Sequence, residues 1–357
     1  MKILIDINHP AHFYLFVNFI HIMQKKGNQF IIISRDKEVT LQLLDSAGIK
    51  YIPRGKGYTN LLMKVFGIVL NSIKIYKYAN LEKPDFLLGA GNPYVGIVGK
   101  ILKLPVINFL NAEHAYWELI FVKYFSDVIL TPRSFFKYLG LKQIKFDGNY
   151  EIASLHPRYY KFDDSRKNIL DLDNECKYII LRFVSWKANH DVGQNGLDYN
   201  TKQLLVNYLS KYADVFISSE DKLPEQFKRY RINIPPEKMH DVLADANLYI
   251  GEGATMASES ACLGTPAIYV NSLEVGYCTE LEKKYGLVFN FRNPEGVLKK
   301  ALELINTPNL KADFRKRRQK LFSDKIDVTA FLVWFVENYP ESFRIMKDNP
   351  DYQYRFK

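Results

Sequence analysis

Along the first 130 residues, short continuous apolar runs alternate with stretches in which apolar residues recur at helical spacing. "KILIDI" is followed by Phe13, Phe16, Val17, Ile20 and Met23, the i, i+3, i+4, i+7 and i+10 positions of one helix face, and Gly27 ends that helix. "QFIIISR" reads as a second strand, "VTLQLLDSAG" as a helix ending at Gly48, and "KYIPRG" as a third strand. A long helix is predicted from about Asn60 to Asn80. After it come the strand "DFLLGAG", a helix through "YVGIVGKILK", the strand "PVINFLN", a helix over Tyr116 to Phe125 and the strand "DVILTP". Strands that are apolar throughout and separated by helices belong to a parallel sheet covered on both faces.

The alternation lapses over residues 151–175, which are polar and irregular, and resumes with "KYIILRF", "DVFISS", "NLYIGEG" and "PAIYVN" as strands between helices. The expected fold class is therefore α/β, with two Rossmann-like, doubly wound parallel-sheet domains facing a cleft. Residues 1–150 form the first, 151–175 the connection and 176–324 the second. A Tyr- and Phe-rich helical tail, 325–357, is expected to pack back on the first domain. A length of 357 residues suits two domains of about 150 each.

The formal net charge of +10 implies attraction to phosphate, whether in nucleic acid, anionic lipid or a phosphorylated small molecule. Lys and Arg are spread along the chain with no basic tail and no nucleic-acid motif, which sets nucleic acid aside. Cys176, Cys262 and Cys278 have neither paired nor metal-ligand spacing and read as free thiols in a reducing compartment. Met1 to Ile7 is already a strand pattern without a basic leader, and uncharged runs such as Phe86 to Gly99 are shorter than a membrane span and carry Gly and Pro. A cytoplasmic protein is expected, soluble or peripheral at the inner face of the cell membrane. The apolar stretches Asn60 to Ala79 and Tyr116 to Phe125, edged by Lys64, Lys74, Lys77 and Lys123, fit a helix lying on anionic lipid or an ordinary core-facing helix with snorkelling lysines.

Polar and titratable residues collect at predicted strand ends, where ligands of open α/β sheets bind. In "NLYIGEGATMASESACLGTPAIYV", Gly251 and Gly253 leave a strand in a turn that admits close approach, and the next helix points unpaired N–H groups outward, where a phosphate fits. Thr255 and Glu259 lie four apart on one helix face. The alternative is that Thr255 caps the helix and Glu259 is a solvated surface residue. In "RFVSWKANHDVG", Arg182 and Lys187 can neutralise a diphosphate without a metal and Ser185 can donate to its oxygens, with His190 near the same site and Trp186 either stacking on a ring or covering the strand end. At the first strand end, "DINHPAH" offers His9 and His12 as proton acceptors for an attacking hydroxyl and Asp6 to orient His12. Otherwise Asn8 or His9 caps the helix, His12 packs on a neighbour and Asp6 bonds to the turn backbone. In "NFLNAEHAYW", Glu113 is either a general base or sugar-hydroxyl ligand, or a first-turn Glu favoured by the helix dipole.

The segment His240 to Ile268 resembles the donor-binding segment of GT-B glycosyltransferases, including the peptidoglycan N-acetylglucosaminyltransferase, and more distantly that of UDP-N-acetylglucosamine 2-epimerases. The chain as a whole resembles a GT-B-like family classed as a domain of unknown function, marked by D-I-x-H-P-A-H at Asp6 to His12, L-R-F-V-S-W-x-A-x-H-D at Leu181 to Asp191, and G-x-G-x-T-M-A-x-E at Gly251 to Glu259. The resemblance implies that backbone groups at the Gly turn and helix start hold the donor diphosphate while Glu259 binds the ribose hydroxyls. The expected donor-binding set is Arg182, Ser185, Lys187, His190, Gly253, Ala254, Thr255, Met256 and Glu259, and the expected catalytic set is His12, His9, Glu113 and Asp6. The expected activity is transfer of a sugar from a nucleotide-diphosphate donor, with UDP as the nucleotide, to a surface glycan or lipid-linked acceptor. No cofactor or metal is expected, since no Asp-x-Asp motif stands at a predicted strand end. The alternatives are a UDP-sugar 2-epimerase, which would have a second acidic residue beside Glu259 where this chain has Ser260, and a non-catalytic nucleotide-sugar-binding protein.

Overall fold

A computed structural model describes residues 1–55, 61–162, 169, 170, 172, 176–184 and 196–357, with backbone only at Glu38 and 61–66. The chain forms two compact units, Met1–Ser154 with Lys325–Lys357, and Leu155–Asp324. In the first, the order is β1 (Lys2–Ile7), α1 (Pro10–Lys25), β2 (Gln29–Ser34), α2 (Glu38–Ser46), β3 (Ile52–Pro53), α3 (Leu61–Glu82), β4 (Phe86–Ala90), α4 (Pro93–Leu102), β5 (Val106–Phe109), α5 (Tyr116–Phe125), β6 (Val128–Pro132), β7 (Gln143–Phe146) and α6 (Tyr150–Leu155). The strands make one parallel seven-stranded sheet, β3-β2-β1-β4-β5-β6-β7. Ile3, Leu4, Ile5 and Ile7 are all fully buried, because β1 is an interior strand, between β2 and β4, with helices on both faces. The hydrophobic pattern does not reveal β7, since "QIKF" is only four residues with a Lys inside it.

Helix α1 starts where His9 caps it and Pro10 takes the first-turn position that needs no N–H. Phe13, Phe16, Ile20 and Met23 of its predicted face are buried, but Leu15 and Phe19 join them while Val17 stays partly exposed. The buried stripe is wider than one sheet-facing row because α13 (Val328–Glu337) packs against the same helix. The C-terminal segment is anchored there by named contacts. Lys325 Nζ meets Asp147 Oδ1 at 2.6 Å, Thr329 Oγ1 donates to Ala153 O at 2.8 Å, and Phe331 stacks on Phe146 with ring centroids 6.1 Å apart. Phe331 and Phe335 are fully buried, worth roughly 2–3 kcal/mol each. The chain closes with α14 (Glu341–Asp348) and a short 3-10 turn.

The second unit contains β8 (Tyr178–Phe183), α7 (Tyr199–Leu209), β9 (Asp214–Ser219), α8 (Met239–Asp245), β10 (Leu248–Gly251), α9 (Ala254–Leu263), β11 (Ala267–Val270), α10 (Gly276–Lys283), β12 (Val288–Phe291), α11 (Val297–Ile305) and α12 (Leu310–Asp324). Its sheet is parallel, in the order β12-β11-β10-β8-β9. The α/β class and two parallel sheets are as expected from the pattern. Among the described residues no helix is long and apolar enough to cross a membrane.

Candidate functional site

In the first unit β1 lies between β2 and β4, so the connections leaving β1 and β4 run to opposite sides and open a crevice at their C-terminal ends. Asp6 sits there, fully buried. Arg54 Nε donates to its Oδ1 at 3.0 Å and Asn92 Nδ2 to its Oδ2. Arg54 also donates to Asn8 Oδ1, lies over the Tyr94 ring at 4.7 Å, and receives Lys74 Nζ on its carbonyl at 2.6 Å. Asn92 caps α4 by accepting from Tyr94 N at 2.9 Å. This network ties the ends of β1, β3 and β4 together. It corrects the expectation for Asp6, whose carboxylate is committed to Arg54 and Asn92 rather than to His12 or the turn backbone.

The two strand-tip histidines differ. His9 is exposed, and its Nδ1 accepts from Ala11 N at 3.2 Å as the α1 cap. His12 is partly buried and its Nδ1 accepts from Asn8 N at 3.4 Å, which leaves the ring proton on Nε2. Burial, with Lys37 and Arg54 nearby, lowers the His12 pKa to about 4.

Glu113 is not the first-turn Glu of the next helix. Helix α5 begins only at Tyr116, so Glu113 lies ahead of it, fully buried, and the first-turn acid is Glu118. Glu118 is exposed as a residue, yet its carboxyl end turns back to the β4 turn, where a Cβ on Gly91 would come within 3.3 Å of Oε2. Burial of that end pushes its pKa up to about 7. The hydrophobic pattern does not single out Glu118, because an acid in a first helical turn is ordinary.

In the second unit, Arg182 ends β8 with Nη1 donating to Ser218 Oγ at 2.7 Å and Nη2 to Glu220 Oε1 at 2.8 Å, so its charge is balanced within the unit. Ser185, Lys187 and His190, with Trp186, lie outside the described residues. Glu252, absent from the expected set, is buried between the two glycines. It accepts from Val184 N at 3.0 Å and Leu197 N at 2.8 Å, and Lys202 Nζ stands 3.4 Å away.

Helix α9 starts at Ala254 with Gly253 as its cap and no side-chain cap bond, so Thr255 does not cap it. Gly253, Ala254, Thr255 and Met256 are all partly exposed. Gly251 is required sterically, since a Cβ there would run into the Tyr249 hydroxyl and reach Arg182 Cβ at 2.8 Å. Gly253 is not, because among the described residues a Cβ there would meet only Val184 Cγ1, at 3.8 Å. Glu259 is 5% exposed and faces His240 Nε2 at 3.2 Å, which excludes the solvated-surface alternative. The Tyr160 ring stands edge-on to His240. Among the described residues no group of three or more His, Cys, Asp or Glu side chains could hold a metal ion.

Two parallel-sheet α/β units in this order define a GT-B fold protein. The S. aureus MnaA–UDP co-structure matches 96% of this chain and 97% of its own at TM-score 0.71 and 14% identity. UDP-GlcNAc 2-epimerase from Neisseria meningitidis bound to UDP-GlcNAc matches 95% and 100% at TM-score 0.68 and 12% identity. The spinosyn rhamnosyltransferase SpnG complexed with spinosyn aglycone matches 95% and 100% at TM-score 0.58 and 14% identity. The chain belongs to the family described as a protein of unknown function (DUF354), whose model matches residues 1–319. A relative from Methanocaldococcus jannaschii, the uncharacterized protein MJ0665, is 23% identical over 281 residues, 75% of this chain and 81% of its own length.

Proposed function

We propose that the protein is a GT-B glycosyltransferase that moves a sugar from a nucleotide-diphosphate donor, with UDP as the nucleotide, to a glycan or lipid-linked acceptor. The observation that carries this is Gly253. Neither a left-handed backbone, since φ is −98°, nor a neighbour among the described residues requires glycine there, and it stands beside N–H groups of α9 that no side chain among the described residues caps. A diphosphate fills that space and is held by the N–H groups of Ala254, Thr255 and Met256 and the positive helix end. Glu259, one turn on, accepts from the ribose hydroxyls. Arg182 exchanges Glu220 for the diphosphate as charge develops on the leaving group, so no metal is required.

In the first unit, the acid–base roles fall to Glu118 and His12. A base works best with a pKa near the working pH, which fits Glu118 at about 7 and not His12 at about 4. With its proton on Nε2, His12 acts as a neutral hydrogen-bond donor to the acceptor. Calorimetry with UDP and UMP, with and without EDTA, tests the donor assignment. Binding of UDP that is tighter than UMP and indifferent to EDTA is expected, and no binding below millimolar concentration would overturn it.

The second reading, a UDP-sugar 2-epimerase, is favoured by the higher TM-scores of the epimerase structure and the UDP co-structure over the rhamnosyltransferase. Against it, Ser260 stands where a second acid would be, fully buried and donating to Met256 O at 2.7 Å. Incubation with UDP-sugar and no acceptor separates the readings, because only an epimerase then accumulates a C2 epimer.

A further inference from the structure

Helix α3 buries Ile75 and Ala79 in the core, but its middle turns also carry polar residues inward and apolar ones outward. Asn71 and Ser72 are buried, while Val69, Leu70, Ile73 and Tyr76 face solvent, with Val69 56% and Ile73 58% exposed. Single exposed apolar residues are ordinary. A run of them on one helix face, with polar residues turned inward, marks a surface made to be covered. Helix α4 packs against both α3 and α5, so the three form one layer on the same side of the sheet. Ile101 at the end of α4 and Tyr116, Trp117 and Tyr124 on α5 extend the apolar exposure across that layer.

The charge on this layer is positive on balance. Lys77, Lys103 and Lys123 are exposed, whereas the Lys74 ammonium is held on Arg54 O. The layer's helices carry two acids, Glu82, bound to Lys2 Nζ at 3.0 Å, and Glu118, whose carboxyl is turned to Gly91, while Lys100 is balanced by Asp127. We propose that the α3–α5 layer docks on an anionic lipid bilayer, with Leu70, Ile73 and Trp117 entering the headgroup boundary and the lysines meeting lipid phosphates. Charge selects this occupant over a second copy of the chain, since two such faces brought together would repel. Aromatic side chains with a polar tip and lysines with apolar stems suit that boundary. The docking goes beyond the sugar-transfer reading and stands without it. Where the acceptor is lipid-linked, docking holds the protein at the membrane that carries it.

The test is co-sedimentation of the full chain with vesicles of phosphatidylcholine alone and of phosphatidylcholine mixed with phosphatidylglycerol. Binding is expected to the mixed vesicles, weakened by salt. The double variant Leu70→Glu/Ile73→Glu should bind roughly tenfold less or weaker, with its melting temperature unchanged. Should that variant melt early, the charge reversal Lys77→Glu/Lys123→Glu, on exposed side chains, is expected to give a roughly tenfold loss by itself. Absence of binding to mixed vesicles, equal binding by the charge-reversal variant, or a solution dimer broken by the apolar variant would each overturn the proposal. UDP binding is measured on the same variants and is expected to be unchanged, so failure of docking and failure of the donor reading are read separately.

Discussion

His240 Nε2 lies 3.2 Å from Glu259 Oε1, and both side chains are buried where α8 packs on α9. A buried carboxylate needs such a partner, and the contact fixes its position one turn below the open start of α9.

If Glu259 accepts from the ribose hydroxyls, Glu259→Gln should weaken UDP binding by roughly 10- to 100-fold, the effect of losing a charge-assisted hydrogen bond of about 1.5–3 kcal/mol. His240→Asn should weaken it less. Affinity for 2′,3′-dideoxy-UDP should be nearly unchanged in both, as measured by calorimetry. Equal losses for the two nucleotides would mean that the pair only supports the helix.

Gly253→Ser places a hydroxyl at the helix cap with an allowed backbone and no close neighbour among the described residues, so stability should hold or rise by a few tenths of a kcal/mol. The same hydroxyl occupies the N–H groups proposed for the diphosphate. UDP binding should therefore be lost while the melting temperature is kept, and a variant that still binds UDP normally would remove the phosphate from this turn.

Activity should fall as pH drops below about 7, because Glu118 must lose its proton to act as a base. Glu118→Gln should lower turnover by roughly a hundred- to ten-thousandfold with UDP affinity intact, and the limb near 7 should vanish from the pH profile of kcat. A limb that persists in this variant, or one centred near 4, would return the base role to His12.

His12 also carries a stability signature. Its folded pKa, about 4, lies below the ordinary 6.5, so the unfolded chain binds the extra proton first as pH falls. Stability is fully present above pH 6.5, declines as pH drops from 6.5 to 4, and levels off below, by about 3 kcal/mol in total. Denaturant unfolding of His12→Gln across that window should lack this slope.

Asp6→Ala leaves the Arg54 guanidinium buried without its carboxylate, which should cost about 3–5 kcal/mol in denaturant unfolding. His9→Ala removes a helix cap and should cost about 1 kcal/mol. A variant of Asp6 that unfolds like the wild type but loses activity would place Asp6 in the chemistry instead.

The sequence alone determined most strands and helices of the two sheets and several of their ends, though not β7. The strand "KILIDI" is apolar on both faces, Pro10 and Gly27 bound α1, and Gly251 and Gly253 mark the turn into α9, because these features depend on residues a few positions apart. What each titratable side chain meets was decided by tertiary structure. Asp6 is paired with Arg54, 48 residues on, and Glu259 with His240 on another helix, and no local pattern encodes such partners. Glu113 and Glu118 look equivalent as acids near one helix start, and only the path of the loop into α5 buries the whole of the first while the second is exposed except at its carboxyl end. For α3, periodicity identified the helix but not which side faces the sheet. That side was chosen by packing against α4, which turned Asn71 and Ser72 inward and left Val69, Leu70 and Ile73 in water.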